Sequence, residues 1–302
     1  MIDMNKNKGE FNKSWQSTNN SSIIYLIFVK EVDKMKRSVR IVEITRTLLS
    51  NPNKTIPLGE FTQKFNCAKS SISEDIAIVK ETFDLNKAGL IETVSGINGG
   101  VRYITDISEE EEKIYINELI DELNDPKRIL PGGYFYLSDI ITNPIYLKKI
   151  GRIIASRHKF DEIDYVLTIA TKGISLAQAI AYELGIPIVI ARKESKITEG
   201  STVSVKYRSQ SSPNLVKNME VGRDSIKSGS KVLIVDDFFR GGGSINGLAS
   251  LVEIFESETV AAYVLCEYKD KELVQKIYAK SLIQIESMDM DTGELILKAG
   301  TI

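Results

Sequence analysis

Histidine is nearly absent from the chain: His158 stands alone among 302 residues. One imidazole cannot build a His–His metal site, and a Ser-His-Asp triad would have to rest on that residue. No metal site is expected. In ASRHKFDE, after a helical stretch, His158 reads as a surface residue. Cysteine is scarce too. Cys67 and Cys266 lie far apart, so neither a disulfide framework nor a Cys-x-x-Cys metal site can form, which fits a reducing cytoplasm. Both read as small buried or half-buried residues. A charge excess is also missing: 39 Lys and Arg against 41 Asp and Glu leave −2. That excludes an all-over basic nucleic-acid binder but leaves room for a basic face. The apolar run at residues 23–29 (IIYLIFV) has seven residues, whereas a bilayer span needs about 20. It also lacks the flanks of a secretory signal. No membrane partner and no internal repeat are expected.

What is present is an apolar fraction of 42%, enough for a packed core. The length allows one large domain or two ordinary ones. Residues 1–22 are rich in Asn, Lys and Ser without a period, and residues 1–34 are expected to be a disordered leader or an over-called start. Met35 is expected near the true beginning. Helical spacing then sets in through Ile41, Ile44, Leu48 and Val42, Leu49, and Asn51-Pro52 stops it. A short helix follows Pro57, with Asn66 as its C-cap, and a third helix carries Ile72, Ile76, Val79 and Phe83 on one face. Two β-like runs then flank the turn at residues 95–100. Three short helices and a hairpin over residues 35–106 predict a winged helix-turn-helix. Its third helix would face DNA through Lys69, Ser70, Ser71 and Ser73, whose small hydroxyls suit phosphates and base edges at a positive helix start. Residues 36–46 hold Lys36, Arg37, Arg40 and Arg46 against Glu43, a net +3. Lys36, Arg37 and Arg40 join the candidate DNA contacts. The competing reading is a solvated face on a generic three-helix module.

Ser108 and Glu111 have the form of a capping box opening a linker helix, with residues 107–128 as the connection. Residues 129–302 form the second domain. Residues 129–140 (ILPGGYFYLSDI) read as a loop into a β-like segment. Apolar strands at 164–170, 187–192, 231–237 and 260–267 alternate with helices at 175–185 and 244–257. That is an α/β fold with a mainly parallel sheet, and ligands of such sheets sit at the strands' carboxyl ends.

The sharpest signal is VLIVDDFFRGGGSI. Asp236 and Asp237 at a strand end can accept hydrogen bonds from vicinal sugar hydroxyls. Gly241, Gly242 and Gly243 let backbone N–H groups point inward, and Ser244 adds a hydroxyl at a helix start, a cradle for a phosphate monoester. No Gly-Lys-Ser/Thr follows, so this is not a Walker loop. A structural turn capped by acids is the competing reading. Tyr134 and Tyr136, at β spacing, could stack on a base or ribose, or belong to a core or dimer surface.

This run resembles the 5-phosphoribosyl 1-diphosphate (PRPP) signature of the phosphoribosyltransferase superfamily. Residues 232–235 fill its apolar part, followed by Asp236, Asp237, Phe238, Phe239, Arg240, Gly241, Gly242, Gly243 and Ser244. The resemblance implies that the acids bind the ribose hydroxyls and the loop binds the 5-phosphate. Ala170, Thr171, Lys172 and Gly173 resemble the diphosphate loop. Residues 193–213 resemble the mobile loop that closes over it, with Lys193, Lys206 and Arg208 as diphosphate partners. Two departures stand out: Arg240-Gly241 replaces the small-Thr pair, and the C-terminal hood that would hold an acceptor base is missing. Together with KSSISED (69–75), RILPGGYFYLSDI (128–140) and RKESKITEGSTVSVKY (192–207), the chain resembles the purine operon repressors of Gram-positive bacteria from about Met35 nearly to its end. The resemblance implies a cytoplasmic, dimeric repressor that binds double-stranded DNA at purine-gene control regions. It implies a non-catalytic effector domain that releases DNA when PRPP binds, with guanosine tetraphosphate as a further ligand and Mg²⁺ travelling with the diphosphate. The alternatives are an active purine or xanthine phosphoribosyltransferase and a scaffold built on an inactive transferase fold.

Overall fold

The computed structural model describes residues 35–97, 99–193, 200–209, 212–268 and 277–302. The expected leader, residues 1–34, lies outside them.

Helices α1 (Arg37–Leu49), α2 (Leu58–Phe65) and α3 (Lys69–Asn86) precede an antiparallel hairpin of β1 (Leu90–Val94) and β2 (Gly100–Ile104). Asn66 ends α2 in the left-handed conformation that Asn tolerates. Ile44, Leu48, Phe61, Phe65, Ile72, Ile76, Val79, Phe83 and Val101 close one apolar core beneath all five elements. Only one of the two apolar rows of α1 is used: Val42 and Leu49 face outward.

Helix α4 (Glu109–Leu123) starts where the sequence places it, with Ser108 Oγ accepting from the Glu111 amide at 3.2 Å. The reciprocal half of the expected box is not made. The Glu111 carboxylate instead accepts from Tyr115 Oη (2.6 Å) and Arg152 Nη1 (2.9 Å). Nor is α4 a bare linker, because Ile116, Leu119 and Leu123 sit in the α/β core. The stretch expected as a loop into a β-like segment is a small hairpin, β3 (Ile129–Leu130) and β4 (Tyr134–Phe135), followed by helix α5 (Ser138–Thr142). Arg128 braces it through a fork on Asp139 (2.8 and 2.7 Å) and lies over the Tyr136 ring.

Helix α6 (Pro144–Arg157) leads into the main sheet, built from β5 (Tyr165–Ile169), β6 (Ile188–Ala191), β9 (Lys231–Phe239), β10 (Glu258–Tyr268), β11 (Ala279–Met288) and β12 (Leu295–Ala299). The spatial order is β12-β11-β10-β9-β5-β6, parallel except for β12. Helix α7 (Gly173–Leu184) connects β5 to β6, and α8 (Gly243–Ile254) connects β9 to β10. Both sheet faces are covered, which explains the near-continuous apolar strands.

Two further expectations need correction. The polar stretch after β6 is not one loop. Strands β7 (Thr202–Ser209) and β8 (Ser212–Gly222) form an antiparallel ribbon. The ribbon is stitched to the sheet by paired 2.8 Å backbone bonds between Arg192 and Glu220. His158 is buried, not superficial: Nδ1 lies 2.7 Å from Asp161 and Nε2 lies 3.0 Å from Tyr263 Oη. With two polar partners a buried imidazole is satisfied, so burial carries no penalty of an orphaned group.

Candidate functional site

The carboxyl ends of β5 and β9 open into a cavity of about 670 Å³. Its floor is the β9–α8 turn. Asp236 is buried and Asp237 half-buried at the end of β9, and Asp236 Oδ1 accepts the Asp237 amide at 2.9 Å. Burial, and then the charge of Asp237, push the Asp236 carboxyl well above the usual carboxylate range. A carboxylate so disfavoured gains from hydroxyl donors brought by a ligand. Gly241 (φ +78°) and Gly242 (φ +68°) turn the chain through the left-handed region, and Gly242 caps α8. The N–H groups of the first turn of α8 are thereby free of side-chain caps, and Ser244 lines the cavity beside them. Phe238 lines the cavity, whereas Phe239 is buried in the core under Gly242.

Ala170, Thr171 and Lys172 form the facing wall, and Gly173 opens α7 behind them. Gly173 cannot be replaced without movement, since a Cβ there would meet Thr168 Oγ1 at 2.2 Å. Tyr134 and Gly133 of the β3–β4 hairpin complete the rim. Arg240 reaches across to this hairpin, donating from Nη1 to the Gly133 carbonyl at 2.7 Å and stacking over Tyr268. The cover on that side is thus N-terminal to the sheet, in keeping with the lack of a C-terminal hood in the sequence.

Lys193 lines the cavity, but Lys206 and Arg208 do not; they are corrected to the exposed side of the ribbon. Strand side chains alternate faces, so Tyr207 and its register partner Lys217 point inward instead. Arg192, Tyr207 and Lys217 are lining residues that sequence reasoning missed. The alternation of 202–209 carries the signal for Tyr207, while Lys217 lies beyond the stretch that was considered. Lys172, Arg192, Lys193, Lys217 and Arg240 line the cavity together with Asp236 and Asp237, five cations to two acids. A chain with a net charge of −2 therefore concentrates positive charge where a polyanion would sit.

In the small module, Lys69, Ser70 and Ser73 are exposed on the first turn of α3, and Ser71 is half-buried. Ser73 Oγ also donates back to the Lys69 carbonyl at 3.0 Å. Ala68, at the N-cap, offers no side-chain acceptor, so this helix start too presents open N–H groups. Lys36 is exposed. Arg37 is exposed but shared with Asp75 (3.0 Å) and Glu74. Arg40 is not a surface contact: it is buried and held by Asp75 at 2.8 Å and the Met35 carbonyl at 3.0 Å. A charge at α1's inner row can be buried only with its partner, which the sequence does not display until α1 and α3 are packed.

Two family models match the chain: the N-terminal part of the bacterial purine repressor over residues 36–105, and the phosphoribosyl transferase domain over residues 137–295. The chain belongs to the family of PurR purine biosynthesis transcriptional regulators. The probable purine biosynthesis transcriptional regulator PurR of Streptococcus pneumoniae is 44% identical over 269 residues, covering 89% of this chain and 98% of that protein. The purine biosynthesis transcriptional repressor PurR of Bacillus subtilis is 43% identical, covering 88% and 93%. The purine biosynthesis transcriptional activator PurR of Lactococcus lactis is 41% identical, covering 89% and 98%. Among the described residues, no helix is long and apolar enough to cross a membrane.

Proposed function

We propose that this family member is a cytoplasmic, dimeric repressor of purine biosynthesis genes that binds PRPP without transferring it and releases DNA when PRPP binds. The observation that carries this reading is the cavity's charge pattern: five cations and two adjacent carboxylates line it together with Ser244, while Gly241, Gly242 and Gly243, outside the lining, turn the chain into the first turn of α8. PRPP carries a phosphate, a diphosphate and two ring hydroxyls, which match that pattern group by group. In this reading the α8 N-terminus and Ser244 take the 5-phosphate, and Asp236 and Asp237 take the hydroxyls. Thr171, Lys172 and Lys193 take the diphosphate. Guanosine tetraphosphate, also a polyphosphate, would compete for the same cations. Among the described residues, no group of three or more His, Cys, Asp or Glu could hold a metal unaided. Mg²⁺ arriving with the diphosphate would therefore rely mainly on ligand oxygens and water beside the two aspartates. Arg240, a bulky cation in the place of a small residue, ties the phosphate loop to the hairpin; this favours a holding site over a turnover site.

The test is a gel shift on the protein's own purine promoter, titrated with PRPP, alongside pyrophosphate release with purine bases. PRPP-sensitive binding without pyrophosphate is expected. Pyrophosphate release at enzymatic rates would favour the transferase reading, and no DNA binding at low salt would leave the scaffold reading. Lys69→Ala is expected to weaken DNA binding across sequences and to reduce the salt slope by about 1. An unchanged affinity and slope would displace α3's first turn from the DNA.

A further inference from the structure

The sensing proposed above needs a physical route between the two modules, and one helix touches both ends of it. We propose that α7 is the rigid rod that couples the ligand cavity to the DNA-binding module, with Asn53 and Thr105 as the positioning residues that receive its movement. The proposal rests on the function argued above and adds how that same site is regulated.

At its N-terminus α7 begins inside the ligand wall. Gly173 sits so close to the sheet that an added Cβ would lie 2.2 Å from Thr168 Oγ1 and 3.2 Å from Asp236 Oδ1. Thr168 Oγ1 is buried without a hydrogen-bond partner. The start of the helix thus lies against Thr168 of β5 and Asp236 of β9 with no room for a side chain between them. Packing of this density transmits a displacement instead of absorbing it. An anion arriving at Thr171 and Lys172 lies at the positive end of the same helix, so ligand binding acts on α7 directly.

Twelve residues later, about 18 Å along the axis, the other end of α7 is gripped by the small module. Asn53 Nδ2 donates to the carbonyls of Leu184 (3.1 Å) and Glu183 (3.5 Å). Thr105 Oγ1 donates to Glu183 Oε2 at 2.6 Å, and both residues are buried. Gly185, in the left-handed region that ends the helix, lies so near the Pro52 carbonyl that a Cβ would come within 2.3 Å of it. Asn53 belongs to the turn between α1 and α2, and its amide also donates to the Tyr103 carbonyl of β2 at 2.7 Å. Thr105 directly follows β2, and Tyr103 packs edge-on against Phe83 of α3. The end of α7 therefore holds the base of the wing and the turn that sets the angle between α1 and α2. The other ties between the modules behave differently. Asp106 meets Arg152 and Lys159 of the α6 region, away from the ligand loops, and serves as a fixed anchor.

The test uses the full chain. DNA affinity is measured by fluorescence anisotropy with and without saturating PRPP, and PRPP affinity by calorimetry without DNA. Asn53→Ala combined with Thr105→Val touches neither ligand site. The expected result is that PRPP affinity and PRPP-free DNA affinity stay within about threefold of the parent, while the ratio of the two DNA affinities falls at least about fivefold toward one. A folded variant with the parent's full ratio overturns the proposal. A parent chain whose DNA affinity ignores PRPP overturns the preceding functional reading instead. Should the double variant not fold, hydrogen exchange on the parent decides. PRPP must then change protection at residues 50–56 and 100–106, and unchanged protection there overturns the rod.

Discussion

Replacing Asp236 by Asn is expected to raise the melting temperature of the chain and at the same time to remove the proposed response to PRPP. The carboxyl is buried and faces Asp237, so the fold disfavours its charged form and its titration lies well above the usual range. A group with a raised carboxyl pKa binds its proton more tightly in the folded state. Its cost to stability is absent below the ordinary carboxylate value near 3.9. The cost grows as pH rises through the window up to the raised value, and is fully present above it. Asparagine keeps the carbonyl that accepts the Asp237 amide and removes the charge. The gain is therefore seen at neutral pH and vanishes below about pH 4. Each kcal/mol recovered moves the transition by about 2–4 °C in a domain of this size. The same substitution replaces a strong acceptor for the ribose hydroxyls with a weak one. The double variant Asp236→Ala, Asp237→Ala is expected to lose the PRPP response completely while keeping DNA affinity. Melting curves at pH 4 and pH 7.5, with DNA binding titrated by PRPP, check both halves. An Asn variant less stable at neutral pH, or one that still releases DNA at the parent's PRPP concentration, would contradict the assignment.

The second large effect is expected at Asp75. Its carboxylate is fully buried between Arg37 and Arg40, 3.0 and 2.8 Å from their Nε atoms. Truncation to Ala leaves the Arg40 guanidinium buried with one backbone carbonyl as its hydrogen-bond partner. Removing one member of a buried ion pair costs about 3–5 kcal/mol, a large part of what a module of this size has. Asp75→Ala is expected to melt residues 35–106 ahead of the α/β domain and to abolish DNA binding at any salt. PRPP affinity should remain, because the ligand cavity draws nothing from α1 or α3. Replacing the pair together, Arg40→Met with Asp75→Leu, should recover most of the stability, since apolar substitutes leave no orphaned charge. Calorimetry with two resolved transitions reads this out. An Asp75→Ala chain that binds DNA like the parent would refute the buried pair as the tie between α1 and α3.

Much of this was legible in residue order. Five of the six strands run parallel, four were readable as apolar runs, and the glycine loop with its two acids lies where such a sheet puts its ligand. What escaped has physical causes. Strand β11 carries Ser281 and Gln284 inside the sheet, where Gln284 pairs with Glu267, so its apolar run is interrupted. Strand β12 is a half-exposed edge strand with a weak pattern. Lys206 and Arg208 carry a charge that suits a diphosphate, but the two-residue period of β7 turns them outward and Tyr207 inward. The burial of Arg40 and His158 is decided by partners far away in sequence, Asp75 for one and Tyr263 for the other, which no local pattern displays. The β3–β4 hairpin is joined to the phosphate loop by a long-range bond, Arg240 to Gly133, which no local pattern announces.

In the proposed function one chain holds a polyphosphate site and a DNA site that oppose each other. Thermodynamics requires such opposition to be mutual. The most direct measurement is the PRPP affinity of the chain by calorimetry, first alone and then saturated with its promoter DNA. DNA is expected to weaken PRPP binding by the same factor by which PRPP weakens DNA binding. Equal PRPP affinity in the two experiments would contradict it.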